Sequence, residues 1–114
     1  MVVDQIREDE VDRLFQALAD ATRRDIVARV LVAEYSVSGL AGQYDMSFAA
    51  VQKHVAVLER ASLVTKEKRG REQIVRGEVD GVQKARRLLD DYERIWRQRV
   101  DRIGEILAQD EDRT

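Results

Sequence analysis

Between Ser38 and Leu58 the chain reads SGLAGQYDMSFAAVQKHVAVL, and no other stretch restricts the fold as much. It reads as two short helices joined by a tight corner. Leu40 and Ala41 supply a large and a small apolar residue where two helices can cross closely. Tyr44, Asp45 and Met46 form the corner, and Ser47 starts the second helix. Val51, Val55 and Leu58 recur at helical spacing and mark its buried face. Asp45 stands where such turns often carry glycine; aspartate tolerates left-handed backbone better than most residues. The periodicity then changes. Leu63 to Lys68 and Glu72 to Val79 partly alternate, with Leu63, Thr65 and Glu67 on one side and Val64, Lys66 and Lys68 on the other. Arg69-Gly70-Arg71 lies between them as a turn, with glycine available for positive φ. Two helices, a tight turn and an immediate hairpin make the layout of a winged helix-turn-helix, whose second helix enters a DNA major groove.

Composition agrees with that layout. Of 114 residues 37% are charged and 5% aromatic, which favours one domain of helices with solvated faces over a sandwich or barrel. No proline is present, so no helix is broken from within by that route. The expected fold class is mainly α with a small β-hairpin wing (α+β). There is no cysteine, which removes disulfides, thiolate metal sites and thiol redox switches and fits a cytoplasmic protein. The opening residues MVVDQIREDE are too acidic and too short of apolar run for a signal peptide. No apolar run approaches the ~20 residues that span a bilayer, so no membrane partner is expected. With few serines, one histidine and no glycine-rich phosphate loop, an enzyme is not expected, and neither is a cofactor.

The net charge of −2 looks wrong for a DNA binder, but the charge is unevenly spread. Residues 1–46 carry five basic and nine acidic groups, a net of −4. Residues 47–76 carry seven basic (Lys53, Arg60, Lys66, Lys68, Arg69, Arg71, Arg76) against three acidic (Glu59, Glu67, Glu72), a net of +4. The sign changes where the motif begins, so positive charge falls on the second helix and the hairpin, where phosphates would be met. The plainer reading is a solvated charged surface.

Along the chain, residues 1–9 are polar and expected to be a flexible segment. Residues 10–108 form one domain, and 109–114 a flexible acidic tail. A first amphipathic helix covers 10–19, with Val11, Leu14, Phe15 and Leu18 at helical spacing. Asp20 caps the next, which runs to about Ala33 with Ile26, Val27, Val30 and Leu31 inward. Ser36 or Ser38 caps the third, ending near Tyr44, and the fourth runs from about Ser47 to Arg60. Asp80 caps the last helix, 81–108. Its stripe (Val82, Ala85, Leu88, Leu89, Tyr92, Ile95, Trp96, Val100, Ile103, Ile106, Leu107) exceeds what a small core needs. It either packs on its own domain or forms a homodimer seam. In the second case Leu14, Leu18, Leu88, Leu89, Tyr92, Ile95, Trp96, Val100, Ile103 and Leu107 are the interface residues, with the first helix of each subunit joining the last.

Taken together, ALADATRRDIV (17–27), SVSGLAGQYDMSFAAVQKHVAVLERASLV (36–64), the turn RGRE (69–72) and YERIWRQRVDRI (92–103) resemble the ArsR/SmtB family of bacterial winged-helix repressors. The resemblance covers about Leu14 to Leu107. It implies a homodimer that binds an imperfect inverted repeat in a promoter and represses transcription. Many members hold a metal with a Cys-x-Cys pair at the start of the third helix; here those positions are Ser36, Val37 and Ser38. Others pair His with Asp or Glu on the terminal helix, whereas the single histidine here, His54, lies on the reading helix. Asp90, Asp91, Glu93 and Asp101 lack imidazole or sulfur partners and read as a solvated face paired with Arg86, Arg87, Arg94 and Arg97. No metal site is expected, and the inducer is not legible.

On the fourth helix Ser47, Phe48, Ala49, Gln52, Lys53 and Ala56 lie on or near the outward face. The Gln52 amide suits the N6/N7 edge of adenine. Lys53 suits guanine or a phosphate, and Ser47 is both cap and phosphate donor. Phe48 and Ala49 suit thymine methyls, though Phe48 has the alternative of folding back into the core. His54, at the edge of the buried face, either meets a phosphate or packs and bonds locally. On the wing, Lys68, Arg69 and Arg71, with Lys66, suit phosphate or the minor groove. Arg23 and Arg24 either reach phosphate or pair with Asp20 or Asp25. The partner these residues imply is double-stranded promoter DNA. A winged helix reused for protein interaction is the alternative from another class; it would be expected to lose the basic groups that are present here. A sensor with a ligand at the dimer seam, near Tyr92 and Trp96, is the variant within regulators.

Overall fold

The computed structural model describes residues 7–112. Eight elements follow in the order α1 (Glu8–Leu18), α2 (Ala21–Val30), β1 (Tyr35–Ser36), α3 (Val37–Ala41), α4 (Phe48–Arg60), β2 (Val64–Arg69), β3 (Glu72–Gly77) and α5 (Val79–Asp112). The mainly α fold with a small sheet is as the sequence predicts. Of the segment 1–9, residues 1–6 lie outside the described residues, while Glu8 and Asp9 are already helical. Three acidic residues in the first turn of α1, Glu8, Asp9 and Glu10, suit the positive end of its dipole.

Asp20 caps α2 as expected, its carboxylate accepting from the Arg23 N–H at 2.9 Å. That bond, more than any other influence, holds the Asp20 carboxyl below its ordinary value. The helix ends at Val30 rather than Ala33, and Leu31 is half exposed instead of inward. Of the two serines offered as caps for α3, Ser36 does the work: its Oγ accepts from the Gly39 N–H at 2.9 Å. α3 stops at Ala41, short of Tyr44.

The sheet has a third strand that the sequence did not announce. β1 pairs antiparallel with β3, Tyr35 facing Val75 and Ser36 facing Ile74, in the order β1-β3-β2. Two residues are too few to carry an alternating pattern. The hairpin β2–β3 is in register from Val64↔Gly77 to Arg69↔Glu72, leaving a two-residue loop. Gly70, at φ 65°, takes the first loop position of a II′-type turn, where glycine is favoured. The predicted alternation fails at the base of β2. Leu63 and Val64 are both buried, whereas Thr65 to Arg69 are exposed. On β2 only Val64 meets the core, whereas β3 buries Ile74 and Val75 at its middle.

Outside the wing's turn, left-handed backbone falls where it was not expected. The corner at Asp45 needs none. Among the described residues the one non-glycine with positive φ is Ser62, at 58°. It ends α4 in a Schellman motif: the Leu63 N–H donates to Leu58 O at 3.0 Å and the Ser62 N–H to Glu59 O at 3.1 Å, with Leu58 and Leu63 both fully buried. α5 starts directly against this loop. The Gly81 N–H donates to Ser62 O at 2.9 Å, and a Cβ on Gly81 would lie 2.7 Å from Ala61 O. Asp80 is not the cap of α5. It sits in the first turn, where its N–H is taken by the Glu78 carboxylate at 3.1 Å and its own carboxylate pairs with Lys84 at 3.1 Å.

The core lies between α1, α2, α3, α4 and the root of the hairpin, with Ile26, Leu40, Val51, Val55, Leu58 and Val75 at its centre. α5 touches it only through its beginning, where Ala85 packs. The helix then leaves the body, and its side chains from Asp91 through Glu111 are all exposed. Gln109–Asp112, assigned to a tail from the sequence, continue the helix. At about 1.5 Å per residue, its 34 residues account for much of the 76 Å long axis, against 32 and 21 Å across. No described helix is long and apolar enough to cross a membrane.

Candidate nucleic-acid interface

α4 is set by its cap and its buried face. The Ser47 Oγ accepts from the Ala50 N–H at 3.1 Å, a cap of the ordinary kind. Val51, Val55 and Leu58 are fully buried. This rotation turns Phe48, Ala49, Gln52 and Lys53 outward, all exposed, and leaves Ala56 half-buried. Phe48 does not fold back into the core, since 45% of it is exposed. His54 takes the local alternative: it is half-buried, and its Nδ1 lies 3.2 Å from an Arg23 guanidinium nitrogen.

The corner before α4 is locked to α2. Tyr44 donates its hydroxyl to Asp25 Oδ2 at 2.5 Å, and Arg29 Nε donates to the same oxygen at 2.8 Å. Arg29 also reaches Gln43 Oε1 at 3.1 Å and lies 5.7 Å from the Tyr44 ring centre. Burial, then the Asp25 carboxylate, pushes the Tyr44 phenol up to about 12. The Tyr44 hydroxyl and Arg29 hold the Asp25 carboxyl low. This cluster ties the corner that leads into α4 to the face of α2, and no helical period would reveal the links from Gln43 and Tyr44 to α2.

Arg23 and Arg24 do not pair with Asp20 or Asp25 through their guanidinium groups, and neither is free. Arg23 donates to Ala17 O and Gln16 O, each at 2.8 Å, and Arg24 to Leu18 O at 2.7 Å. α1 has no basic residue in its last turn, so the next helix supplies the cations for its last carbonyls, of which Gln16 O also accepts the Ala19 N–H at 3.2 Å.

The wing divides its cations. Arg69 pairs with Glu34 at 3.3 Å and Glu67 at 3.5 Å, while Arg76 reaches the same two carboxylates at 3.3 and 2.7 Å. Glu34 is the main reason the Arg69 proton is held more tightly than usual. Arg69 is therefore partly neutralised in the free protein. Lys66 lies 4.0 Å from Glu59. Among the described residues, Lys53, Lys68 and Arg71 make no ion pair.

The seam residues do not all share one surface. Leu14 is 2% exposed, taken up by the chain's own core, because α1 packs that side against α2 and α4. Leu18 and Leu88 are half-buried, and Leu18 packs on the core. Leu89, Tyr92, Ile95, Trp96, Val100, Ile103 and Leu107 are 46–60% exposed. Around the rest of α5 the carboxylates pair along the helix, Asp90 with Arg86 at 3.7 Å, Asp91 with Arg94 at 3.1 Å, and Glu93, at the edge of the stripe, with Arg97.

Comparison with known proteins gives the following. The chain is 32% identical over 103 residues to HTH-type transcriptional regulator Rv2034 of Mycobacterium tuberculosis, covering 90% of this chain and 94% of that protein. An ArsR-like transcriptional regulator from Rhodococcus sp. RHA1 superposes with a TM-score of 0.79 at 32% identity, over 89% of this chain and 93% of that one. A homodimeric winged helix-turn-helix DNA-binding domain from Mycobacterium bovis, Mb0332, shares the fold at a TM-score of 0.61 and 23% identity, over 82% of this chain and 92% of that fragment. No family model matches the chain.

Proposed function

Because the chain belongs to the ArsR family of DNA-binding winged helix-turn-helix transcriptional regulators, we propose that it acts as a cytoplasmic dimeric repressor on an inverted-repeat operator. The observation that carries this reading is the outward face of α4, where Gln52 and Lys53 are exposed on the helix that leads into the basic wing. Gln52 reads adenine through the carbonyl oxygen and the NH2 of its amide, and Lys53 binds guanine or phosphate. Phe48 and Ala49 meet thymine methyls, and the Ser47 backbone and hydroxyl face the phosphates beside the helix start. Lys68 and Arg71 hold phosphate from the wing, with Arg69 released from Glu34 as DNA arrives. His54 belongs to the support of the helix rather than to the contact.

The homodimer reading is supported by the exposed stripe on α5, too large for a solvated surface, and by the homodimeric state of the M. bovis domain with the same fold. A two-fold dimer sets its half-sites about 10 bp apart, or a multiple of that. No step requires a metal. The test is anisotropy with DNA upstream of the protein's own gene and with random DNA, across a salt series, with and without Zn²⁺. The expected result is salt-sensitive binding that prefers the upstream DNA and ignores the metal. Release by metal would overturn the metal-independent reading. Absence of DNA binding at low salt would overturn the operator reading in favour of a protein-interaction module.

A further inference from the structure

Arg23 is one residue tied at four points to three elements. Its backbone N–H enters the Asp20 cap at 2.9 Å. Its Nε and one terminal nitrogen donate to Ala17 O and Gln16 O, both at 2.8 Å. Its other terminal nitrogen lies 3.2 Å from His54 Nδ1. All three guanidinium nitrogens thus have a partner within the chain, and the last reaches the middle of α4. His54 follows Gln52 and Lys53 on that helix, so a roll that breaks the Arg23 contact also re-aims both reading side chains.

We infer that Arg23 is a positioning residue for DNA reading: its guanidinium clamps α4, through His54, to the carbonyl end of α1. This rests on the reading that α4 enters the groove. The geometry needs a planar fork. Three donors must point to two carbonyls and a ring nitrogen at once, which a lysine ammonium of equal charge does not span. The Nδ1 must accept, so the ring proton belongs on Nε2. A glutamine at position 54 offers an acceptor oxygen there, whereas a leucine offers none.

Arg23→Lys, His54→Leu, His54→Gln, the double variant Arg23→Lys/His54→Leu and Gln52→Ala are compared by anisotropy on upstream and random DNA over a salt series, after thermal melting has established that each is folded. Arg23→Lys and His54→Leu are each expected to weaken upstream binding about tenfold. Random-DNA affinity and the salt slope should stay unchanged. The double variant should lose no more than either single one, and His54→Gln should bind like the parent. A normal Arg23→Lys, additive losses, or an Arg23→Ala variant with a flatter salt slope would overturn the clamp, the last by making Arg23 a phosphate contact. If Gln52→Ala keeps full preference for upstream DNA, it is the groove reading that falls. If Gln52→Ala loses that preference while Arg23→Lys and His54→Leu keep it, only the clamp falls.

Discussion

At the scale of single residues, two positions carry a cost that the fold accepts. Ser62 holds left-handed backbone at φ 58°, which an L side chain adopts at a cost of about 1–2 kcal/mol. Nothing in the Schellman geometry requires a side chain there. Ser62→Gly is therefore expected to stabilise the chain by about 0.5–1 kcal/mol after the extra freedom of glycine in the unfolded chain is subtracted, read as a higher denaturant midpoint at constant slope. Glu34 carries a cost of another kind. It draws both Arg69 and Arg76 toward the sheet, so part of the wing's positive charge is spent before DNA is met. Glu34→Gln should tighten DNA binding about two- to fivefold at low salt and lose that gain at high salt; an unchanged affinity would mean that Arg69 stays clear of the phosphates. Asp20 works in the opposite direction. Its folded carboxyl is held low by the Arg23 N–H, so its contribution is present above the ordinary carboxylate value near ~4 and fades as pH falls through the lower folded value. Asp20→Ala should accordingly lower the melting temperature at pH 7, and the gap to the parent should close in acid.

At the scale of elements, what the sequence foretold depended on whether a partner was needed to see it. α4 was legible because its cap and its buried spacing are local: Ser47 binds Ala50, and Val51, Val55 and Leu58 repeat within one helix. The hairpin was legible because Gly70 marks its turn. β1 was not, since its two residues mean nothing until β3 is beside them. The clusters that aim α4 were invisible for the same reason. Asp25 and Arg29 pair at i,i+4 within α2, but Tyr44 is far from both in sequence, as His54 is from Arg23, and each of these long links is a side-chain contact with no period. Phe48 and His54 stood open from spacing alone, and burial separates them. One element-level consequence distinguishes the helix from the wing. Arg71→Ala should weaken binding to all DNA alike and flatten the salt slope by roughly one. Gln52→Ala should cost roughly 1–3 kcal/mol at chosen base pairs and leave the slope alone. A uniform loss for Gln52→Ala would make it another backbone contact.

At the scale of the whole molecule, the chain is a small core with a long arm. The arm's apolar face steps from Leu89 to Tyr92, Trp96, Val100, Ile103 and Leu107, mostly three and four residues apart, with two fours in succession around Trp96. That departure from the heptad unwinds a supercoil locally and favours a straighter contact. Its charges are graded as well. Residues 84–99 hold six basic and three acidic groups, whereas residues 100–111 hold one basic and four acidic. Two copies side by side in the same direction would set like charge against like; running opposite ways, they set +3 against −3. An antiparallel pairing of α5 thus agrees with both the stripe and the gradient, and its two-fold axis is the symmetry an inverted repeat demands. Trp96→Glu puts a charge into the middle of the exposed face, where it touches none of the protomer's core. It should leave protomer folding intact while weakening the dimer at least tenfold, about 1.4 kcal/mol, read by sedimentation and by a melting temperature that no longer rises with concentration. Affinity for a full operator should fall with it, and affinity for a single half-site should not. A dimer that survives Trp96→Glu would mean that the arm is not the seam, and the two reading helices would then need another surface to hold them a helical turn apart.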